Sequence, residues 1–157
     1  MIMKKILFVC LGNICRSPMA EFIFKKMVHD SGREHDYYIA SAATHDDETY
    51  GGGSPVYPPA RKKLAEHGIS CNGKRAVRMT KSDYGKYDLI IAMEPSNVRD
   101  ILRITGGDPD GKVKLLLSYA GEESGIADPW YSGDFDTAYN EIYKGCDALF
   151  KALNNKK

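Results

Sequence analysis

Short unbroken apolar runs alternate along the chain with segments whose apolar residues recur at helical spacing. The run from Ile6 to Cys10 is short, continuous and without helical period, which predicts a buried strand. Predicted strands cover residues 4–10, 37–42, 88–93 and 113–117. The first predicted helix begins at Ser17, and further helices cover 59–67, 96–104 and 135–153. Residues 80–83 resemble the capping box of an additional short helix.

Alternating strands and helices imply parallel β-α-β units with right-handed crossovers. We therefore predict an α/β fold, a three-layer open doubly wound sheet of four parallel strands with helices on both faces. No repeat or linker divides the sequence, so residues 1–157 are predicted to form a single domain. Ligands of such sheets bind beyond the carboxyl ends of the strands, at a switch point in strand order. The loop that follows Cys10 lies at such an end.

Composition narrows the choice of partners. The 157 residues are 43% hydrophobic and 27% charged, which is ordinary for a globular protein with a buried core, and the formal net charge is +1. A balanced charge gives no general attraction to nucleic acid or to anionic membranes. We therefore expect no nucleic-acid binding and no membrane insertion, and any anion site must be local.

The first residues combine charge and apolar character in the way a signal peptide does, but the apolar run is too short. A signal sequence needs about 7–15 apolar residues, and a membrane span needs about 20. No stretch of the sequence approaches the length of a span. We therefore expect a cytoplasmic protein whose four cysteines stay reduced.

The candidate loop has the pattern Cys10-x5-Arg16-Ser17 between a strand and a helix. Gly12 and Asn13 tolerate left-handed backbone, so successive N–H groups can turn inward as an anion-binding nest. The helix that starts at Ser17 points its positive end at the same place. Arg16 can hold two oxygens of one tetrahedral anion with its planar guanidinium group.

The same positive field favours the thiolate of Cys10, which is the nucleophilic form of cysteine. Ser17 can add a hydrogen bond from its hydroxyl group to the sulfur. Alternatively, Cys10 is an ordinary strand residue and Arg16 a surface charge. A lone strand cysteine would favour that alternative, but glycine, asparagine, arginine and a helix start coincide here. The pattern therefore favours a phosphate-binding loop with a nucleophilic cysteine.

Four residues separate Cys15 from Cys10, which is not the two-residue gap of redox and zinc motifs. On a tightly curled loop the two sulfurs can approach each other. A sulfenic acid on Cys10 can then condense with Cys15 to a reversible disulfide. Cys15 can equally be a small packing residue, so its role as a redox guard stays open.

A phosphate monoester also needs an acid to protonate its leaving oxygen. The segment IADPWYSGDFD, residues 126–136, lies in the long loop predicted after the fourth strand. Asp128 precedes a proline, which favours extended backbone, and Trp130 and Tyr131 offer aromatic faces to an aryl substrate. Since loops at the carboxyl edge of the sheet converge, we predict Asp128 as the general acid. Asp134 and Asp136 better fit N-caps of the last helix.

Several segments together resemble the low-molecular-weight protein tyrosine phosphatase family. LFVCLGNICRSPMAE resembles the phosphate loop of that family, and DPWY resembles its acid loop. The similarity continues in SAAT at residues 41–44, YGGGSP at 50–55, HGI at 67–69 and AMEPSN at 92–97. It therefore extends from the first strand towards the last helix.

The resemblance implies metal-independent hydrolysis of phosphotyrosine, an aryl phosphate monoester, through a phosphocysteine intermediate and without a cofactor. Cys10 would be the nucleophile, Arg16 the phosphate clamp, and Asp128 the acid and then the base. Asn13 would hold the shape of the loop, and Ser17 would assist the thiolate. The residues that would line the substrate cleft are Leu11, Ile14, Tyr50, Trp130 and Tyr131. The partner would be a protein that contains phosphotyrosine.

Three residues depart from the family pattern. Trp130 replaces the first tyrosine of Asp-Pro-Tyr-Tyr, which widens the aromatic wall. Glu94 stands where aspartate is usual, and Lys74 lies at about the place of a histidine in many members. The stretch 44–53 also looks longer than in mammalian members, which affects where Tyr50 lies.

Two related activities use the same fold. Arsenate reductases need two further cysteines close together as a disulfide relay, whereas only Cys71 and Cys146 remain here, 75 positions apart. Protein arginine phosphatases carry a small threonine at the position of Ile14, which leaves room for a guanidinium group. Ile14 with Trp130 and Tyr131 favours a flat phenyl ring, and hence phosphotyrosine.

A phosphate-binding adaptor would lack either the nucleophile or the acid, and this sequence has both. The histidines, at positions 29, 35, 45 and 67, are scattered without the spacing of metal ligands, so no metal site is predicted. The sequence therefore favours an enzyme.

Overall fold

A computed structural model describes residues 3–154 of the chain. The strands are β1 (Lys4–Cys10), β2 (Tyr37–Ala43), β3 (Leu89–Ala92) and β4 (Val113–Leu115). The helices are α1 (Arg16–Asp30), α2 (Pro58–Glu66), α3 (Asp83–Lys86), α4 (Pro95–Thr105), α5 (Pro129–Ser132) and α6 (Phe135–Asn154). Short 3₁₀ turns cover Glu34–Asp36, Tyr50–Gly52 and Leu116–Ala120.

All four strands are parallel and lie in the order β2-β1-β3-β4. From β1 the chain crosses to β2 on one side of the strand, and it then returns to β3 on the other side. The predicted α/β fold with a four-stranded parallel sheet is therefore confirmed. The carboxyl end of β1 lies at the switch point, where ligands of such sheets bind.

Side chains of β1 alternate between two apolar cores. Ile6, Phe8 and Cys10 belong to the core beneath α1 and α6, whereas Leu7 and Val9 belong to the core on the opposite face of the sheet. A central parallel strand is covered on both faces, which explains the continuous apolar run in the sequence. The end of β1, and with it the start of the candidate loop, is therefore held rigidly.

The helix that follows the candidate loop is fastened to the same core. Phe24 of α1 meets Phe8 of β1 edge to face, with 5.9 Å between the ring centroids, and neither ring is exposed. Truncation of a buried phenylalanine to alanine typically costs about 3–5 kcal/mol. This packing fixes α1 against β1, so both ends of the intervening loop are anchored.

Some predicted boundaries are wrong. β4 stops at Leu115, because Ser118 Oγ donates to the Leu115 carbonyl at 2.6 Å and the chain turns into a 3₁₀ helix. The capping box predicted at 80–83 is formed in part: Asp83 Oδ2 accepts from the backbone N–H of Thr80 at 2.9 Å, and the short helix α3 begins at Asp83. The long loop predicted at 118–134 contains α5.

At the start of α6, Asp134 acts as the predicted N-cap. Its Oδ1 accepts from the backbone N–H of Thr137 at 3.0 Å. Asp136 does not cap the helix, because it lies within the first turn and pairs with Lys63. Between residues 3 and 154, no helix has both the length and the apolar character to cross a membrane. The single-domain extent of residues 1–157 stays a prediction.

Candidate active site

The loop between β1 and α1 curls around the carboxyl end of the strand. Cys10 is the last residue of β1, and α1 begins at Arg16. Asn13 has a φ of 60°, the left-handed conformation that asparagine tolerates better than most side chains. The expectation for Asn13 is confirmed, whereas Gly12 is not among the glycines with positive φ. A Cβ at this position would be in ordinary van der Waals contact with Glu48 Cγ at 3.6 Å, so neither its φ nor its surroundings require glycine.

Asn13 is the centre of a buried hydrogen-bond network. Its Oδ1 accepts from the backbone N–H of Val77 at 3.1 Å, which fixes the orientation of the amide group. Its Nδ2 donates to Ser17 Oγ at 2.8 Å and to Ser41 Oγ at 2.9 Å. Both amide protons are therefore used, and the loop is tied to α1, to β2 and to the segment before α3.

A carboxylate at the far end of this network sets the direction of its hydrogen bonds. Glu21 is buried and accepts the hydroxyl proton of Ser41 at 2.5 Å. The oxygen of Ser41 is therefore an acceptor for Asn13, and the oxygen of Ser17 is the second acceptor. The hydroxyl proton of Ser17 is left free to point at Cys10 Sγ, which lies 3.0 Å away. Ser17 thus donates to the sulfur, which favours a thiolate.

Two lysines neutralise the buried carboxylate of Glu21. Lys25 Nζ lies 2.6 Å from Glu21 Oε2, and Lys74 Nζ lies 3.5 Å from Oε1. Lys74 also donates to the carbonyl of Ser41 at 3.0 Å. Burial lowers the pKa of Lys74, and the negative charge of Glu21 opposes this change. Lys74, one of the departures noted in the sequence, is therefore joined to the network that ends at Cys10.

Ser17 does not cap α1, although the sequence predicts that it does. Ser17 is the second residue of α1. The N-cap position is occupied by Cys15, and no side chain caps the N-terminus of the helix. The hydroxyl group of Ser17 instead contacts Cys10 across the loop. The helix therefore starts one residue earlier than predicted, at Arg16.

The guanidinium group of Arg16 is 2% exposed and has a negative or polar partner on each side. Its Nη1 lies 2.6 Å from Glu94 Oε2 and donates to the carbonyl of Ile126 at 2.9 Å, while Nη2 lies 3.4 Å from Asp128 Oδ2. Burial alone lowers the pKa of Arg16. The negative charges around it, led by that of Cys10, outweigh burial and raise the pKa above its usual value. Arg16 is therefore a permanent cation, held in position beside the sulfur.

Asp128 precedes α5 with the extended backbone predicted for a residue before proline. Its Oδ1 accepts from the backbone N–H of Trp130 at 3.0 Å. Its other oxygen is the one that approaches Arg16. The carboxyl group is therefore oriented by the turn and directed at the guanidinium group that neighbours the sulfur.

A cavity of about 200 Å³ lies over the loop. Its walls are formed by Cys10, Leu11, Gly12, Ile14, Cys15, Arg16, Asp47, Glu48, Asp128, Trp130 and Tyr131. The ring of Trp130 packs on Tyr57 with 4.7 Å between the ring centroids, so this wall is fixed. A tetrahedral anion in the cavity would meet a thiol, a guanidinium group and a carboxyl group together.

Cys15 lines the same cavity but differs chemically from Cys10. It is buried, and burial followed by the charges of Cys10 and Asp128 raises the pKa of its thiol from 9.0 to about 12. Cys15 therefore stays protonated at neutral pH and is a weak nucleophile.

The cavity contains most of the residues predicted for it, but not all. Tyr50 lies in a 3₁₀ turn, is 73% exposed and does not line the cavity. The loop after β2 brings Asp47 and Glu48 to the cavity instead, and sequence reasoning missed both. Their position in the loop at the carboxyl end of a predicted strand was the signal that could have found them. Glu21 was missed too, because nothing marks a helical glutamate as buried.

Comparison with known proteins agrees with this geometry. A family model described as low molecular weight phosphotyrosine protein phosphatase matches residues 5–157. The chain belongs to this family. It is 39% identical to the low molecular weight phosphotyrosine protein phosphatase of Gallus gallus over 94% of this chain and 94% of that protein. The resemblance seen in the sequence is therefore confirmed.

Solved structures of the family have the same fold. The crystal structure of YfkJ from Bacillus subtilis is similar with a TM-score of 0.92 and 34% identity, covering 99% of this chain and 97% of that chain. The structure of DARP, a drosophila arginine phosphatase, is similar with a TM-score of 0.88 and 30% identity, covering 98% and 99%. Proteins that share this fold are therefore named for different phosphorylated substrates, and the fold by itself does not identify the substrate.

Proposed function

We propose that this chain hydrolyses phosphotyrosine in proteins through a phosphocysteine intermediate, without a metal or another cofactor. One observation supports this most directly: Cys10, Arg16 and Asp128 line a single cavity at the carboxyl end of β1. These side chains supply a nucleophile, a phosphate clamp and a proton donor. The proposed reaction needs no group beyond these, the loop N–H groups and water.

In the first step Cys10 Sγ attacks phosphorus, so an S–P bond forms while the P–O bond to the tyrosine ring breaks. Asp128 in its protonated form gives its proton to the leaving phenolate oxygen. Arg16 and the N–H groups of the loop stabilise the charge on the three equatorial oxygens. Dephosphorylated tyrosine then leaves.

In the second step Asp128, now a carboxylate, takes a proton from a water molecule whose oxygen attacks phosphorus. The S–P bond breaks, inorganic phosphate leaves, and Cys10 returns to the thiolate. The hydroxyl group of Ser17 donates to the sulfur in both steps, so it stabilises the nucleophile and later the leaving group.

The walls of the cavity favour a phenyl ring as the leaving group. Ile14 and Trp130 are apolar, and Trp130 is fixed by its contact with Tyr57. Aromatic pairs contribute about 0.5–1.5 kcal/mol beyond the area they bury. A guanidinium group gains less from Ile14 than from a small polar side chain. We therefore propose phosphotyrosine rather than phosphoarginine as the substrate.

Arsenate reduction is disfavoured by the positions of the remaining cysteines. Cys146 is fully buried in the core beneath α1, and burial raises the pKa of its thiol. Cys71 is 4% exposed, and burial raises its pKa as well. Neither thiol lines the cavity that contains Cys10, so neither is placed to take over a disulfide from it.

We further propose a cytoplasmic phosphoprotein as the partner. The four cysteines are free thiols, the state that reducing compartments maintain. The net charge of +1 supports neither nucleic acid nor an anionic membrane as a ligand.

A substrate panel tests the proposed function. Phosphotyrosine, phosphoserine and phosphoarginine forms of one peptide are assayed with and without EDTA, with vanadate as a competitor. We expect phosphotyrosine to be hydrolysed fastest, vanadate to inhibit, and EDTA to have no effect. Faster turnover of phosphoarginine, or loss of activity in EDTA, would contradict the proposal.

The expectation for EDTA has a structural reason. Over residues 3–154, no three His, Cys, Asp or Glu side chains are grouped as metal ligands.

Asp128→Asn is expected to lower kcat by about 10²–10⁴-fold, since the amide cannot protonate the leaving group. The loss should be larger for phenyl phosphate than for p-nitrophenyl phosphate, whose leaving group needs less help from an acid. Asp134→Asn is the matched control, because Asp134 caps α6 and does not line the cavity. An Asp128→Asn enzyme with wild-type kcat on phenyl phosphate would exclude Asp128 as the acid.

Ser17→Ala is expected to lower kcat by about 10–100-fold, since a hydrogen bond to a charged group is lost. Alkylation of Cys10 by iodoacetamide near neutral pH should slow as well, because the hydrogen bond from Ser17 to the sulfur is absent. Ser31→Ala, at the opposite end of α1, is the control. Unchanged alkylation and turnover in Ser17→Ala would show that Ser17 does not act on the sulfur.

Cys15 is expected to protect Cys10 from irreversible oxidation, because oxidation of Cys10 to a neutral sulfenic acid removes a charge that helps to raise the pKa of the Cys15 thiol. Peroxide converts the thiolate of Cys10 to a sulfenic acid, and attack by the Cys15 sulfur would form a disulfide and release water. Activity lost to peroxide should return with dithiothreitol in the wild type and in Cys71→Ala, but not in Cys15→Ala. Equal recovery in all three would leave Cys15 as a packing residue.

A further inference from the structure

Two carboxylates line the catalytic cavity without a part in the proposed hydrolysis. Asp47 and Glu48 come from the loop that follows β2 and reach the same cavity as Cys10. Arg16 is the single cation among the described residues that line the cavity, and it already pairs with Asp128. A phosphate group is repelled by two further negative charges nearby. Their negative charge is therefore available to a part of the substrate other than the phosphate group.

Glu48 is held in place over the phosphate-binding loop. Its Oε1 accepts the hydroxyl proton of Ser54 at 2.8 Å, and its carbonyl accepts the backbone N–H of Ser54 at 2.8 Å. Its side chain lies beside Gly12, where a Cβ would be in ordinary contact with Glu48 Cγ at 3.6 Å. The carboxylate is therefore a fixed feature of the cavity wall.

Exposed aromatic faces share this cavity with the two carboxylates. Trp130 is 51% exposed and Tyr131 is 80% exposed, and both come from the segment that carries Asp128. Cations, arginine above all, are attracted to the faces of tryptophan and tyrosine rings. Carboxylates and aromatic faces are two independent features, and both favour a positively charged group.

We propose that Asp47 and Glu48 select phosphotyrosine with an arginine or lysine beside it in the substrate protein. A phosphotyrosine side chain that reaches Cys10 leaves its neighbours in the chain at the mouth of the cavity. A cationic neighbour is attracted there by the carboxylates and by Trp130, whereas an acidic neighbour is repelled. The two carboxylates determine specificity and take no part in bond breaking.

This inference rests on the proposed phosphotyrosine hydrolysis, and the experiment separates the two. Three phosphotyrosine peptides differ only in the two flanking residues, which are arginine, glutamine or glutamate. p-Nitrophenyl phosphate, which has no flanking residues, reports hydrolysis itself. Failure to hydrolyse p-nitrophenyl phosphate would contradict the proposed function. Hydrolysis with equal kcat/KM for the three peptides would overturn only the proposed specificity.

In the wild type we expect kcat/KM for the arginine peptide to exceed that for the glutamate peptide by about tenfold at low salt. The glutamine peptide should lie between them. The ratio should shrink as salt is added, because the Debye length falls from about 30 Å at 0.01 M to about 3 Å at 1 M. A ratio that does not change with salt would contradict an electrostatic origin.

Variants test the two residues themselves. The double variant Asp47→Asn/Glu48→Gln should reduce the arginine-to-glutamate ratio to about twofold or less. Asp46→Asn removes a charge from the same loop but outside the cavity, and it should keep the wild-type ratio. Dividing each kcat/KM by that for p-nitrophenyl phosphate corrects for any loss of folded enzyme. A double variant that keeps the wild-type ratio, or an Asp46→Asn that loses it equally, would overturn the proposal.

Discussion

Cys10→Ser is expected to lower kcat for phosphotyrosine peptides by at least about 10⁴-fold. A serine hydroxyl is almost entirely protonated near neutral pH, and no side chain beside it serves as a base for the attack. Ser17 cannot take this role, because its hydroxyl group donates towards the sulfur and its oxygen already accepts from Asn13. The variant therefore lacks the nucleophile and also loses the leaving group of the second step.

The fold and the phosphate site should survive this substitution. Serine is slightly smaller than cysteine, and the loop is held by Asn13 and by α1 rather than by the sulfur. Calorimetric measurement of phosphotyrosine-peptide binding to the variant provides the control. Turnover that persists in a pure Cys10→Ser preparation would reject the phosphocysteine mechanism.

Arg16→Lys is expected to lower kcat/KM by about 10³-fold or more. The ammonium group keeps the charge but loses the planar pair of donors that holds two phosphate oxygens at once. Arg16 is also fixed by Glu94 and by the carbonyl of Ile126, contacts that lysine cannot make together in the same geometry. Arg16→Lys should therefore weaken both the binding of phosphate and the stabilisation of the transition state.

The melting temperature of each Arg16 variant must be measured together with its activity, because Arg16 also stabilises the fold. Arg16→Ala would remove a buried side chain and leave Glu94, which is 33% exposed, without its partner, so the variant should lose stability as well as activity. Lysine preserves a positive charge next to Glu94, so Arg16→Lys is the more informative change. Arg78→Lys is the matched control, since Arg78 is exposed and does not line the cavity. An Arg16→Lys enzyme with wild-type kcat/KM and an unchanged melting temperature would contradict the assigned role.

The phosphate loop could be predicted because its chemistry is contiguous in the chain. Cys10, Asn13, Arg16 and Ser17 lie within one short segment, and strand-to-helix geometry follows from local pattern. Asp128 was predicted because loops at the carboxyl edge of a parallel sheet converge. These inferences needed only periodicity and the preferences of individual residues.

Contacts between distant segments could not be predicted in the same way. Glu94 reaches Arg16 across 78 positions, and Ser41 reaches Asn13 across 28. Such contacts depend on how β1, β2 and β3 are ordered, which residue patterns do not specify. The capping role expected for Ser17 failed for a related reason: its hydroxyl group has a partner in the folded loop, at Cys10, that local sequence does not reveal.

Rapid denaturing quench of the wild-type enzyme during its first turnover tests the central claim most directly. The Cys10 peptide is isolated after mixing with a phosphotyrosine substrate and examined by mass spectrometry. The mechanism predicts a phosphoryl group on Cys10 that forms before steady state and is absent from Cys10→Ser. Steady hydrolysis without an adduct, or with an adduct on another residue, would contradict it.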